Sequence, residues 1–231
     1  MMEKHINAYD LELFRVRDKL LLMSEKVGEC LSEAMKAFLG QDNVLAQSIL
    51  AGDDVIDKLD EEVEITSLNL ISLQQPDDRD LRFLAAAMRI GHELERIGDY
   101  ACDIAEAASY IKHQEPFFQS LVTLRRMADL VRAMLQKSLQ AYMEKNLKSA
   151  AQMDDDDNEV DRIFLALFNM LTCCMKQNPE YIEQASAILL VARYLERIGD
   201  HVVNIAEMTI FSESGERHPF KVRKNKAGQS S

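Results

Sequence analysis

Among the carboxylates that stand four residues apart in this chain are Asp53 and Asp57, Glu95 and Asp99, Asp157 and Asp161, and Glu196 and Asp200. On a helix, residues four apart lie within about 40° of each other, so each pair shares one face. Counted from Glu196 at about 100° per residue, Asp200 falls at about 40°, Glu207 at about 20° and Asn204 at about 80°. The same count places Glu95, Asp99, Asp103 and Glu106 inside an arc of about 80°. Hard cations take oxygen ligands of this kind. Stacked like charges cost about 0.2–0.5 kcal/mol per pair on an isolated helix, a repulsion that a bound di- or trivalent cation offsets. Arg96 and Arg197 offset part of it from the flank, so the alternative stays open that these acids simply solvate the outer face of a bundle helix.

Other chemistries lack their residues. Glu-x-x-His, the signature of di-iron bundles, occurs in neither copy: His92 precedes Glu95 and His201 follows Glu196 by five. No Gly-rich phosphate loop, His-Glu-x-x-His or nucleophile elbow is present, so no catalytic or cofactor-binding residue is assigned. The four cysteines show no CxxC spacing and read as free thiols packed as small hydrophobes.

The elements that must position the acids follow from an internal repeat. "LERIGD" occurs at 94–99 and again at 195–200, and "IAE" at 104–106 and 205–207, both at an offset of 101. Upstream the offset is 104, pairing Met23 with Met127, Asp42 with Asn146, Asp53 with Asp157 and Asp57 with Asp161. With 47% hydrophobic residues, 6% aromatics, 8 Gly and 4 Pro, the composition favours helices over strands. Gly40 with a cap at Asp42, Pro76 with acids behind it, and "HQEPFF" around Pro116 cut the first half into three stretches. Asn146 and "NP" at 178–179 repeat the scheme, with Asn146 read as the cap of the second half's middle helix. The expected fold is all-α: two tandem three-helix bundles with six long helices, over residues 1–112 and 113–212, then a basic tail over 213–231 expected to be mobile. Glycine inside a helix costs about 1 kcal/mol relative to alanine, so Gly98 and Gly199 predict close approach of a neighbouring helix or of a liganded site.

A formal charge of -12 argues against nucleic acid or a bare anionic bilayer as the main partner. The longest apolar run, "AILLVA" at 187–192, is too short to span a membrane, and "MMEKHINAYDLELF" has no signal-peptide core. A cytoplasmic location is expected.

With both "ERIGD" copies, their "IAE" continuations and the upstream Asp-x-x-x-Asp pairs in hand, the chain closely resembles the PhoU family of phosphate-uptake regulators over roughly residues 10–212. The resemblance implies two three-helix bundles and two metal faces: Asp53, Asp57, Glu95 and Asp99 with Asp103 beside them, and Asp157, Asp161, Glu196 and Asp200. It implies metal ions there, an iron cluster first, with zinc, manganese or magnesium as alternatives. Two departures make the second face less acidic, because Asn204 matches Asp103 and Phe168 matches Glu64. The resemblance further implies a homodimer and negative regulation without catalysis, exerted on a phosphate-specific ABC transporter and the sensor histidine kinase of the starvation response. A metal-dependent enzyme or iron-storage protein using the same carboxylates is the competing expectation, and a scaffold without metal is a third.

Overall fold

The computed structural model describes residues 8–110 and 117–217. Six long helices carry the architecture, and no strand occurs among the described residues. The first repeat contains α1 (Ala8–Gly40), a short α2 (Asn43–Leu50), α3 (Asp54–Gln74) and α4 (Asp78–Glu106). The second contains α5 (Phe118–Glu144), a short α6 (Leu147–Ala151), α7 (Met153–Gln177) and α8 (Ile182–Ser214). The boundary between residues 112 and 113, and residues 218–231 of the basic tail, lie outside the described residues.

The punctuation residues work as caps, with one correction. Asp77 accepts from the backbone N–H groups of Arg79 (3.0 Å) and Asp80 (2.9 Å) at the start of α4. Asn178 accepts from the Glu180 N–H (3.0 Å) ahead of a 3-10 turn at Pro179–Tyr181 that leads into α8. Asp42 and Asn146 also cap, but they open α2 and α6 rather than the long middle helices. A side-chain cap satisfies only the first donors of a helix and does not set its length. Buried Ala46 and Ile49 in one repeat, and Ala150 in the other, fold these short pieces onto the core before α3 and α7 begin. Matched residues Gln41 and Lys145 leave α1 and α5 in the left-handed conformation, with φ of 53° and 58°, although neither is the Gly or Asn usual there.

The third helices, α4 and α8, form the spine. They make the most extensive helix pair in the protein, and each also packs on the other two long helices of its own repeat. Leu84, Ile90, Leu94, Ile97 and Ile104 on α4, and Ile188, Leu195, Ile198 and Val202 on α8, are fully buried. Burying such side chains contributes about 1.5–3 kcal/mol each.

The repeated glycine marks close packing against the middle helix of each repeat. A Cβ on Gly98 would stand 3.0 Å from Cδ1 of Ile56 on α3, and one on Gly199 would stand 3.0 Å from Oδ1 of Asp157 and 3.5 Å from Val160 on α7. Ile56 and Val160 are matched positions of the repeat, so the same close contact is built twice. In the second repeat it also seats a carboxylate.

Between the repeats lies a buried anion. Glu93 on α4 is 1% exposed. It accepts from Asn204 Nδ2 (2.9 Å) and from His201 Nδ1 (2.7 Å) on α8, and pairs with Arg89 Nε at 2.9 Å. Burial pushes this carboxyl up, but the bonds from His201 and Asn204 and the charge of Arg89 outweigh it and hold Glu93 below the ordinary carboxylate range. Facing a carboxylate, His201 must carry its proton on Nδ1. The residue matching Glu93 is Tyr194, which lies 5.8 Å from Tyr100, the match of His201.

Two predictions follow from this packing. Gly98→Ala, whose methyl group gains helix propensity while pressing Cδ1 and Cγ2 of Ile56 at 3.0 and 3.3 Å, changes stability by less than about 1 kcal/mol as the two effects offset, whereas Gly98→Leu costs about 1–3 kcal/mol through overpacking. Urea unfolding reads both. Glu93→Ala removes the acceptor of three donors and costs about 2–4 kcal/mol at neutral pH. Because the folded-state value of Glu93 is depressed, its contribution is present above the ordinary glutamate value of 4.5 and is lost as pH falls through the lower folded value, so the two unfolding curves converge in acid.

Candidate carboxylate faces

The first face lies across α3 and α4, brought together by the Gly98–Ile56 contact. Asp53 occupies the N-cap position of α3, half-buried, and its Oδ1 accepts from the Cys102 thiol at 3.3 Å. Asp57 is exposed one turn further on, while Glu95 and Asp99 line α4 and are half-buried. Asp99 is paired with Arg96 at 2.5 Å, and Glu95 stands 3.6 Å from His92 Nδ1.

These four acids feel one another. Partial desolvation, with Asp53 and Asp99 next, holds Asp57 above the usual carboxylate range. Desolvation and then Asp99 raise Glu95, against the pull of His92 and Arg96. Asp99 is raised by desolvation and by Asp53, with Arg96 opposing. The structure therefore gathers Asp53, Asp57, Glu95 and Asp99 into one electrostatic cluster. Asp103 stands at its edge: desolvation and Asp99 raise it, and it in turn raises Tyr194 on α8, whose hydroxyl is held up chiefly by burial.

The second face, across α7 and α8, is tied down differently. Asp157 is 1% exposed, tucked against Gly199, and Asp161 is half-buried one turn on. Glu196 pairs with Arg193 at 2.8 Å and lies 4.0 Å from Arg197, which also reaches Asp200 at 3.3 Å. Arg193 matches His92, so a permanent cation stands where the first face has an imidazole.

Both sequence departures have a local meaning. Asn204 replaces an acid because its amide donates to Glu93, where a second carboxylate would repel the buried anion. Phe168 replaces Glu64 on the α7 surface, 6.5 Å from Phe164, and Arg193 lies over Phe164 at 5.8 Å.

Several contributors were not evident from sequence. Asp60 borders the first face, raised by desolvation against the opposing charge of His92, and its Oδ1 fills the space where a Gly91 Cβ would sit. Glu93, Arg193 and the Cys102 contact to Asp53 were also missed. Their partners are supplied by helices distant in sequence, apart from Arg193, whose position beside Glu196 was legible as an i,i+3 pair. All four cysteines are free thiols, but Cys173 is exposed rather than packed.

The donors suit hard cations, since both faces offer carboxylate oxygens. As the side chains stand, no three His, Cys, Asp or Glu residues among those described are close enough together to hold an ion. A cation on the first face would therefore require Asp57 and Glu95 to turn toward Asp53 and Asp99, and the exposure of Asp57 leaves room for that.

Raised carboxyls in the folded state mean that ionisation at neutral pH works against folding here, and stability is regained as pH falls through the raised values. Asp57→Asn with Glu95→Gln is accordingly expected to raise stability at pH 7 and low salt by a few tenths of a kcal/mol. The gain should shrink in 0.5 M salt. Urea unfolding at two ionic strengths checks it, and a loss of stability at low salt would show that the acids are not in repulsive contact.

With this geometry in view, the comparisons with known proteins agree. Residues 20–108 and 124–209 each match the model described as the PhoU domain. A phosphate-specific transport system accessory protein PhoU homolog from Caulobacter vibrioides is 35% identical over 216 residues, covering 94% of each chain. Its counterpart from Clostridium acetobutylicum is 34% identical over 217 residues, covering 94% of this chain and 98% of that one. The crystal structure of PhoU from Pseudomonas aeruginosa superposes with a TM-score of 0.84 at 30% identity, over 90% of this chain and all of that one. The phosphate transport system regulatory protein PhoU from Streptococcus pneumoniae does so with a TM-score of 0.84 at 29% identity, over 92% of this chain and all of that one.

Proposed function

The chain belongs to the PhoU family, and on that premise we propose that it is a cytoplasmic negative regulator of phosphate uptake and of the phosphate-starvation response. It acts without catalysis, as an adaptor on a phosphate-specific ABC transporter and its sensor histidine kinase. Cations held on the two carboxylate faces shape the docking surface: Asp53, Asp57, Glu95 and Asp99 on one, Asp157, Asp161, Glu196 and Asp200 on the other, with Asp103 at the rim. An iron cluster is the first expectation, with zinc, manganese or magnesium as the alternatives.

The observation that carries this reading is the duplicated acid face, built on both repeats by the same glycine contact and left with raised carboxyls on the first. Proteins tolerate such built-in repulsion where a ligand relieves it. The relatives' names supply the transport system. No helix among the described residues is long and apolar enough to cross a membrane, which suits an adaptor that reaches the membrane through partners. Exposed Leu165 and Phe168 on α7, beside the second face, support a homodimer.

The test is capture of the protein from detergent-solubilised membranes of phosphate-replete cells, with and without chelator. The transporter or the sensor kinase is expected to co-purify and to be lost on chelation. In the same cells Asp99→Asn with Asp200→Asn should raise a starvation-gene reporter several-fold. Unchanged capture in chelator together with unchanged repression would refute the role of the cation faces. Saturable phosphoester turnover or ferrous oxidation by the purified protein would favour the enzyme or storage reading instead.

A further inference from the structure

A groove of about 800 Å³ runs between α1 and α5, the first helices of the two repeats. These two helices pack on each other less extensively than each packs on the third helix of its own repeat, so the surface between them stays open. They run antiparallel: Arg17 on α1 lies 4.9 Å over the ring of Phe83, which stacks on Tyr142 near the end of α5, while Lys36 and Arg132 stand together at the other end. From α5 the floor is apolar, with Leu139 buried and Met143 half-buried, and α1 adds Phe14 and Leu21, each 47% exposed.

Along α1 the groove carries two parallel stripes. Ser24, Gly28 and Ser32 recur every four residues, and Glu25, Glu29 and Glu33 follow one position behind each. Residues four apart lie within about 40° of each other on a helix, so each trio forms one continuous line. Small side chains allow a second helix axis to come close. Gly28 costs α1 about 1 kcal/mol relative to alanine. At Gly91, Gly98 and Gly199 a neighbouring helix fills the space that a Cβ would take, but a Cβ on Gly28 would meet nothing within 4 Å. The packing of the described residues therefore gives no reason for a glycine at 28, whereas a body entering the groove from outside does. The acids are also left over. Lys26 pairs with Glu29 at 2.8 Å, but no ion pair holds Asp18, Glu25 or Glu33 among the described residues.

We propose that the α1–α5 groove is the docking site for an amphipathic, basic helix of a partner protein. Its apolar and small side chains lie over Gly28 and the Leu139–Met143 floor, and its Lys and Arg side chains run along the edge that faces Glu25, Glu29 and Glu33. Asp18 to Glu33 spans about 22 Å at helical rise, the length of about four turns of such a helix. The ends of the groove set its direction. Lys36 and Arg132 favour the negative C-terminal end of the incoming helix, and Asp18 and Glu144 favour its positive N-terminal end, so it runs parallel to α1. Charge disfavours the other occupants. An anionic bilayer would meet the acidic stripe with like charge, and a second copy docked by the same face would set Glu25 and Glu29 against their own counterparts. The inference goes beyond the regulator reading and does not rest on it, since no groove residue belongs to either carboxylate face.

The probe is a fluorescein-labelled helical peptide of about 18 residues, with Leu and Ala on one face, Lys along one edge of that face and Gln elsewhere, titrated with the full chain and read by fluorescence anisotropy. Saturable 1:1 binding is expected. Gly28→Phe, which fills open space in the groove and whose folding circular dichroism checks, should weaken it at least tenfold, and so should Glu25→Lys with Glu29→Lys and Glu33→Lys. Reversing three exposed acids outside the groove, Glu61→Lys with Glu64→Lys and Asp155→Lys, should change it less than threefold. Absence of saturable binding would overturn the proposal. So would equal binding of a scrambled peptide of the same composition, or an affinity that Gly28→Phe leaves unchanged, since either would reduce the effect to general attraction by an acidic chain. A dimer that Gly28→Phe converts to monomer in sedimentation would overturn it in favour of docking by a second copy.

Discussion

A single buried carboxylate sets the relation of the two halves. Glu93 has almost no access to water and would cost several kcal/mol if left alone. It is tolerated because His201 and Asn204 reach it from the other repeat and Arg89 closes it from its own helix. This bond set exists only when α4 and α8 cross in one register. Apolar packing alone along that spine would permit sliding by a turn, whereas an orphaned carboxylate would not. The placement of both acidic faces is inherited from this crossing, because α3 is laid against α4 and α7 against α8.

The glycines then decide how close the acids come. Without a Cβ at 98 and 199, the middle helices approach until Ile56 and Asp157 touch the spine. That brings carboxylates of neighbouring helices within electrostatic reach on the first face. Each face carries one matched ion pair, Arg96 with Asp99 and Arg197 with Asp200, and on the second Arg193 pairs with Glu196 as well. The two faces are thus copies with different electrostatics: one poised by mutual repulsion, the other partly neutralised. Duplication supplied the scaffold, and substitutions at 92/193, 93/194 and 103/204 made the halves unlike.

Much of this was legible in the sequence. The offset repeat, helical composition, the break at Pro76 and the cap at Asn178 pointed to the all-α duplicated fold, and the i,i+4 spacing placed the acids of each pair on one side of their helix. The Asp42 and Asn146 caps misled about the start of the middle helices, because a cap reports where a helix begins and not how long it runs. Glu93 was invisible for a different reason: its partners on α8 lie 108 and 111 residues away, and a glutamate set between His92 and Leu94, two residues before Glu95, carries no mark of burial. Asn204 looked like a weakened ligand and is instead the donor that makes a buried anion tolerable. The α1–α5 groove was likewise beyond reach, since it is a property of how loosely two helices meet.

The central claim is that the two acidic faces take cations. Its most direct measurement is elemental analysis of the purified chain after reconstitution, under anaerobic conditions for ferrous iron and in parallel with manganese, zinc and magnesium, followed by removal of loosely bound ions. The wild type is expected to retain at least one cation per face. Asp53→Asn with Asp99→Asn should lose the first site and spare the second. Less than one cation per chain in the wild type, for every metal tried, would contradict the account and leave the acids as the solvated surface of a helical scaffold.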